Sequence, residues 1–585
     1  MKKERLLELK ESYEKVKTDN EKIKVKLSYL RLFIFLLLVV FLALFFTKYG
    51  YTVILPIITL AAFIYVSIVH RKYFKIVDDT TFKITVLKAY LDRFDDGFKK
   101  NADFGLDLKG NSYSEVDLDI YGKSSVFSYI SFAKTPYGRK FLSDALKGEL
   151  ISQKDLEQRQ EAIAELVDNF EQTLSIESAS FHFYGVNDSK KISSLENAFN
   201  LISNDVIFDP KRLIISAIFI IALFVSIVLA AIKMVNSYIP LIFLVINFFI
   251  SKILFANIKP VSDSFNTINN IFYGYNYLLD AVNQANFKSE LLLSYQQETK
   301  KLSAHAIKYF KLISSLVSAR NNVVFAFILN GICLYDGFVI LMFKNWQKKY
   351  QNGFEMAIKN IGHIEELISL ATISLVKEES TRPRISQEFK FEAIKHPLIV
   401  EEKCVPNSFI FKGTNIITGS NMSGKTTFMR SIGVNYLLYL SGSDVCAKSF
   451  EAPISKLFTS MKVVDDVNNN ISTFYGEILR VKDICQYIKT NEPMIVLIDE
   501  IFKGTNTKDR ITGAYAVAEK LISCSALAII TTHDQELCDI KGVDNYYFLE
   551  HYENDKIAFD YTIRKGISNT RNAIYLLKMA GVIED

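Results

Sequence analysis

The chain is short of several features that would narrow its role at once. Its 585 residues hold six cysteines, Cys333, Cys404, Cys446, Cys485, Cys524 and Cys538, scattered without the paired spacing of a metal site. They read as reduced cytosolic thiols. Charge of one sign is also lacking: 69 Lys+Arg against 64 Asp+Glu leave a net +5. Bulk charge therefore gives no argument for nucleic acid, and much of the excess falls beside apolar runs. No low-complexity tract or internal repeat is present. A cleaved signal peptide does not fit either, because the first apolar run begins after a charged 31-residue extension and lacks a small-residue cleavage site.

Apolar residues are abundant. They make up 49% of the chain, and the mean hydropathy is +0.15, high for a soluble enzyme. Residues 32–46 and 53–69 are uncharged apolar stretches separated by Lys48-Tyr49-Gly50, each near the lower limit of about 17 to 25 residues for a spanning helix. Residues 213–232 and 238–256 form a second pair, with Asn247 and Lys252 the costly residues of the latter. A buried helix pair in a soluble core is the competing explanation, but 213–232 lacks the polar face that a bundle helix retains. Two transmembrane hairpins are expected.

Basic residues gather at the outer ends of both pairs: Lys22, Lys24, Lys26 and Arg31, then Arg71 and Lys72, Lys211 and Arg212, Lys252 and Lys259. The connecting loops hold only Lys48 and Lys233. Both hairpins then enter from and return to the cytoplasm, giving a multi-pass protein of the cytoplasmic (inner) membrane with both termini inside. A fifth apolar run, 323–343, contains Asn330 and Asp336, each expensive in hydrocarbon. One more crossing would also place the C-terminal region outside, so this run is expected as a buried helix.

Ahead of the first run, Leu6, Leu9, Tyr13, Val16, Asn20, Ile23, Leu27 and Leu30 alternate spacings of three and four. That pattern suits a coiled-coil seam or a single amphipathic helix. Lys300, Lys301, Lys308 and Lys311 share one helix and suit phosphates, anionic lipid or plain solvation.

Chemistry concentrates near the C-terminus. Gly419-Ser420-Asn421-Met422-Ser423-Gly424-Lys425-Thr426 matches G-x-x-x-x-G-K-[ST], with Thr427 opening a helix and strand-like segments ahead of it. In such a phosphate-binding loop the backbone N–H groups cradle phosphate oxygens, Lys425 neutralises the β/γ-phosphates and Thr426 ligates Mg²⁺. Met494-Ile495-Val496-Leu497-Ile498 reads as a buried parallel strand ending in Asp499-Glu500. Asp499 would hold the magnesium and Glu500 would deprotonate the attacking water. After the apolar strand Ala526-Leu527-Ala528-Ile529-Ile530, Thr531-Thr532-His533 places an imidazole at the next strand edge.

Gly419 to Thr426, Asp499-Glu500 with Lys503-Gly504-Thr505-Asn506, and Thr532-His533 resemble the ATPase domain of the MutS family, a branch of the ABC-type ATPases. His396-Pro397-Leu398, and Asp465-Asp466 followed by Ser472-Thr473-Phe474 and Glu477, match as well. The resemblance implies that Ser472 acts in trans, reaching the other subunit's γ-phosphate in a homodimer. Asp117-Leu118-Asp119-Ile120-Tyr121-Gly122, Thr135 to Leu142, and Gln158 to Ile163 resemble the start of the family's helical core domain. Nothing resembles its mismatch-reading N-terminal domain. Asn506 and Arg510 replace a usual serine and glycine, and the aromatic that usually stacks on adenine is replaced near Cys404-Val405.

The expected fold is α/β: an ABC-type P-loop ATPase domain preceded by an all-α core, with two transmembrane helical hairpins. The expected divisions are a cytoplasmic helix over 1–31, a first hairpin over 32–73 and a linker over 74–112. The helical core opens over 113–210, a second hairpin interrupts it over 211–258, and it resumes over 259–380 before the ATPase domain over 381–585. The function these imply is ATP hydrolysis with Mg²⁺ at a homodimer interface, coupled to conformational change at a lipid bilayer. Two alternatives stay open: a membrane-tethered mismatch or branched-DNA sensor, with DNA as partner, and an ATP-driven lipid or solute mover.

Overall fold

The computed structural model describes residues 2–46, 54–110, 112–184, 210–254, 272, 274–320, 323–420, 422–462, 473–502, 506–553 and 556–567. The chain divides into two compact units, one of residues 1–132, 140–178 and 366–585, the other of 133–139 and 179–365.

The first unit opens with two long helices, α1 (Lys2–Phe46) and α2 (Ile54–Leu91). They pair antiparallel along their length. Lys83 lies 5.1 Å over the Tyr13 ring, Lys24 lies 5.3 Å over Phe74, and Phe35 meets Phe63 at 6.0 Å. The cytoplasmic helix expected over 1–31 is thus one continuous helix with the first apolar run. The linker expected over 74–112 is helical to Leu91, because Val77, Ile84, Leu87 and Tyr90 recur at spacings of three to seven and are buried. The coiled-coil seam is intramolecular: Leu6, Leu9, Tyr13, Asn20 and Leu27 are turned inward, whereas Val16, Ile23 and Leu30 are exposed. One antiparallel partner covers one stripe, and α2 takes the stripe through Leu6.

The same unit holds two sheets. One has the order β1 (Arg384–Ile385), β5 (Ser449–Ala452), β2 (Lys390–Ile394), β3 (Asn407–Ile410). The other has the order β10 (Lys556–Lys565), β9 (Val543–Glu553), β4 (Thr414–Thr418), β8 (Leu527–Thr532), β7 (Met494–Asp499), β6 (Lys456–Ser460). Its strands run parallel except for β10, which closes it as an antiparallel hairpin with β9. β4 and β7 are buried along their whole length, as parallel strands covered on both faces require. Ile416, Val496, Ile498, Ala528 and Ile530 pack against Ile484, Ala514, Val517, Ala518 and Leu521 of the helices Thr473–Ile488 and Thr507–Ser523. The helix Lys425–Leu440 packs on β7 and β8.

The second unit is helical. Phe272, Phe310, Trp346 and Phe354 form its aromatic core, with ring centroids 3.6 to 6.1 Å apart and the Trp346 indole N–H donating to the Ala306 carbonyl at 2.8 Å. The helix Pro210–Ala231 packs on Ile239–Leu254. The apolar run 323–343, expected as one buried helix, is two: Val323–Cys333 and a helix beginning at Tyr335, with a bend of 80° between them. Leu334 at the break adopts φ +45°. Asn330 explains the stop, since its Oδ1 accepts from the Asp336 backbone N–H at 3.0 Å and from Ser251 Oγ at 2.8 Å.

Among the described residues, three helices are long and apolar enough to cross a membrane: Lys2–Phe45, Ile54–Leu91 and Ile214–Ala231. The bent pair at Leu334 would make a fourth, and Ile239–Ser251 is apolar but shorter.

The seam yields a direct contrast. Leu87→Ala, at a fully buried site, should cost about 2 to 5 kcal/mol. Val16→Ala, which is 43% exposed, should stay within about 0.5 kcal/mol. Urea midpoints of the two full-length variants in detergent check this, and equal losses would refute the assigned seam.

Candidate functional site

Three strands of the six-stranded sheet end level with one another. Thr418 of β4 pairs with Thr532 of β8, and Asp499 of β7 pairs with Thr531. The glycine-rich loop leaves β4 at this edge, and the Asp499-Glu500 turn leaves β7. His533 follows β8, which lies between them.

The loop is built on left-handed backbone at Gly419 (φ +147°), Met422 (φ +69°) and Gly424 (φ +107°). At Gly419 a Cβ would stand 3.0 Å from both the Phe548 carbonyl and Ser423 Oγ, so a side chain there is opposed by packing as well as by φ. Ser423 Oγ donates to the Ser420 carbonyl at 2.8 Å, closing the turn. Gly424 is the N-cap of the helix Lys425–Leu440 and no side chain caps it. An uncapped helix start inside such a turn is a ready anion site. Ser420 Oγ is buried without a hydrogen-bond partner among the described residues, which also suits a loop shaped for an oxygen-rich ligand.

Lys425 is buried and its Nζ donates to the carbonyls of Gly419 at 2.6 Å and Ser420 at 2.8 Å, so its ammonium is held over the loop. Thr426 Oγ1 donates to Asp499 Oδ2 at 2.7 Å, and Thr531 Oγ1 donates to Asp499 Oδ1 at 2.5 Å. A hydroxyl and a carboxylate in contact are oxygen donors of the kind a small hard cation takes, completed by water and phosphate oxygens. The residues present therefore fit magnesium. Among the described residues no group of three or more His, Cys, Asp or Glu forms a metal cluster.

Glu500 adopts φ +54°, a conformation that costs of order 1 kcal/mol for a non-glycine residue. Its N–H donates to the Thr531 carbonyl at 3.1 Å and approaches Thr531 Oγ1 at 3.2 Å, which ties the turn to β8. The side chain is partly exposed, and Glu500 Oε1 lies 3.1 Å from His533 Nε2. Carboxylate and imidazole thus meet at the mouth of the site.

The structure gathers Lys425, Thr426, Asp499, Glu500 and His533 at this edge, with Gly419, Ser420, Met422, Ser423 and Gly424 as the loop. Thr427 is exposed on the first helical turn. Asn421, Ser472, Asp465-Asp466 and Lys503 to Thr505 lie outside the described residues. Thr531 joins the site without a sequence signal, because its role rests on the β7/β8 register. Arg510 has a partner that local sequence does not show: it clasps Asp534 through two bonds of 2.7 and 2.8 Å, fixing the turn after His533. Asn506 accepts from the Asp509 N–H at 2.9 Å and caps the helix Thr507–Ser523.

A second polar cluster anchors the strand before the site. Asp117 is fully buried and accepts from the backbone N–H groups of Met461 and Lys462, at 3.0 and 2.9 Å, and from Arg480 at 2.7 Å. Asp119 pairs with Lys462 at 2.5 Å and Arg430 at 3.0 Å. The Asp-x-Asp motif therefore holds both the exit of β6 and the helix that follows the glycine-rich loop.

His396 of the His-Pro-Leu motif is buried, and its Nδ1 accepts from the Leu398 N–H at 3.2 Å. Burial first, then the Arg430 and Lys377 charges, lower its pKa from 6.5 to about 4. A base with a depressed folded pKa loses stability as acid protonates the unfolded chain first, so stability should fall as pH drops from 6.5 towards 4. The loss is on the order of 3 kcal/mol. Denaturation midpoints across that range should show a drop attributable to this residue that His396→Gln removes; an unchanged pH profile in the variant would count against it.

Residues 415–585 match the family model described as MutS domain V. The chain is 32% identical to MutS protein homolog 4 of Homo sapiens over 239 residues, covering 38% of this chain and 25% of that protein. It is 31% identical over 253 residues to the DNA mismatch repair protein MutS of Leptospira interrogans, covering 40% and 30% respectively. With the DNA mismatch repair protein MutS of Clostridioides difficile it shares 34% identity over 240 residues, 38% of this chain and 25% of the other. The chain thus spans about a quarter to three tenths of the length of these relatives.

Proposed function

Because the chain belongs to the MutS family through its domain V, we propose that it is a membrane-anchored ATP hydrolase whose two sites form where two copies meet. The observation that carries the hydrolase reading is the meeting of Lys425, Thr426, Asp499, Glu500 and His533 at one sheet edge.

In this reading the Gly419–Gly424 turn and the uncapped helix N-terminus receive the phosphates. Lys425 turns its ammonium from the loop carbonyls to the β/γ-phosphate oxygens. Thr426 and Asp499 hold Mg²⁺, which supplies charge neutralisation on the phosphates. Thr531 keeps the Asp499 carboxylate aimed. Glu500 takes a proton from water as the water oxygen bonds to the γ-phosphorus and the bond to the β–γ bridging oxygen breaks, releasing ADP and inorganic phosphate. His533, beside Glu500, orients the γ-phosphate and the attacking water. Ser472 is supplied by the partner chain. α1, α2 and the helix Pro210–Ala231 hold the assembly in the bilayer, with the nucleotide sites and both termini on the cytoplasmic side of the inner membrane.

A second reading follows from the relatives, two of which are named DNA mismatch repair proteins. It makes the chain a mismatch-repair-related ATPase that binds DNA while tethered. Stimulation of ATP turnover by duplex DNA, falling steeply with salt, favours it; stimulation by lipid vesicles favours coupling at the membrane.

Glu500→Gln should retain ATP while turnover falls by about 10² to 10⁴, and Lys425→Ala should lose ATP binding. Unaltered turnover in Glu500→Gln would refute the assigned base. For the dimer, Ser472→Ala and Lys425→Ala chains should each be inactive alone and regain activity when mixed, since one composite site is then intact. No recovery would argue for sites complete within one chain.

A further inference from the structure

Where the antiparallel helix pair passes from charged to apolar sequence, α1 carries a groove of about 360 Å³ lined by Ser28, Tyr29, Arg31, Leu32, Phe35 and Phe63. Its lining changes character along the helix axis. Ser28, Tyr29 and Arg31 make the end nearer the N-terminus polar, and Leu32, Phe35 and Phe63 make the other end wholly apolar. From Ser28 to Phe35 the rise is about 10 Å, the scale of a headgroup joined to the start of an acyl chain.

Charge points the same way. Arg31 has no carboxylate partner among the described residues. Lys26, Arg71 and Lys72 are exposed around the same level of the pair, and Lys24 lies over the Phe74 ring. Asp19, an acid of this stretch, is engaged with Lys22 at 3.6 Å. Tyr29 is 71% exposed and Tyr65 69%, the exposure expected of aromatic residues at a bilayer boundary.

We propose that this groove binds one anionic phospholipid of the surrounding bilayer. The headgroup phosphate accepts from the Arg31 guanidinium and from the Ser28 and Tyr29 hydroxyls, and an acyl chain lies along Leu32, Phe35 and Phe63. The proposal rests on the membrane reading above. A second copy of the chain is the competing occupant, but the groove's polar end offers cationic and hydroxyl donors, and the faces of α1 around it are themselves basic.

Native mass spectrometry of the full-length protein in mild detergent tests it, with phosphatidylglycerol and phosphatidylcholine as probes. Wild type should retain phosphatidylglycerol at concentrations where phosphatidylcholine is lost. Arg31→Gln should weaken that preference roughly tenfold, the worth of one hydrogen bond to a charged group, and Arg31→Lys should restore most of it. Arg71→Gln, which removes the same charge outside the groove, should leave it intact. Equal retention of both lipids, equal losses in Arg31→Gln and Arg71→Gln, displacement by inorganic phosphate, or a groove found closed by a second copy would each overturn the proposal. Extraction of the chain from membranes by carbonate would instead overturn the anchoring reading, and a chain that resists extraction yet shows no lipid preference overturns the groove alone.

Discussion

The Asp499 carboxylate is the point on which the candidate site depends. Both of its oxygens are held by hydroxyls, one from Thr426 on the helix after the glycine-rich loop and one from Thr531 at the end of β8. That arrangement exists only while β4, β8 and β7 end in register. Side chains alternate faces along a strand, so a slip of one residue in β8 would turn Thr531 away and present Thr532 instead. What prevents the slip is apolar. Val496, Ile498, Ala528 and Ile530 are sealed beneath the helices Thr473–Ile488 and Thr507–Ser523, and a shift would break that packing along two strands at once. The polar geometry is therefore a consequence of the hydrophobic register, not an independent feature.

This explains which members of the site the sequence discloses. Lys425, Thr426, Asp499, Glu500 and His533 each sit beside a local signal: a glycine-rich turn, or the polar end of an apolar strand. Thr531 has no such signal, since a threonine at a strand end is ordinary until its pairing with Asp499 is known. Arg510 reads in the sequence as a mere departure from the family pattern, and its partner Asp534 lies 24 residues on. The Asp117 clasp on Met461 and Lys462 joins positions more than 340 residues apart, a distance no local pattern bridges.

The helical region shows the converse limit. Periodicity discloses that residues 6–30 are helical but not which stripe is covered, because two apolar stripes run along the helix and only the partner decides between them. Hydropathy marks residues 53–69 but gives no end to the helix, since α2 continues on a sparser stripe through Val77, Ile84 and Leu87. In 323–343 hydropathy shows one apolar run, and only the structure shows that the Asn330 side-chain oxygen caps the Asp336 backbone where the chain bends by 80°.

The N-terminus of α1 gives the helix pair a mechanical relation to the sheet-bearing portion of its unit. Lys2 is lodged against the segment leading into β1, its Nζ donating to the carbonyls of Ser374 and Lys377 and to Ser380 Oγ. Burial lowers its pKa, opposed by Glu378 and Asp444, and three oxygen acceptors offset the loss of water around the ammonium. Lys3 adds a contact to Asp95 at 3.1 Å. From Lys2 to the first apolar run is about 45 Å of unbroken helix, stiffened by α2 beside it. Bending the pair would break i→i−4 hydrogen bonds and the seam together, so it is stiff along its length. Under the membrane reading, this stiff connection runs from the entry to β1 to the bilayer. It also accounts for the long continuous helix where a simple anchor would need only its apolar half.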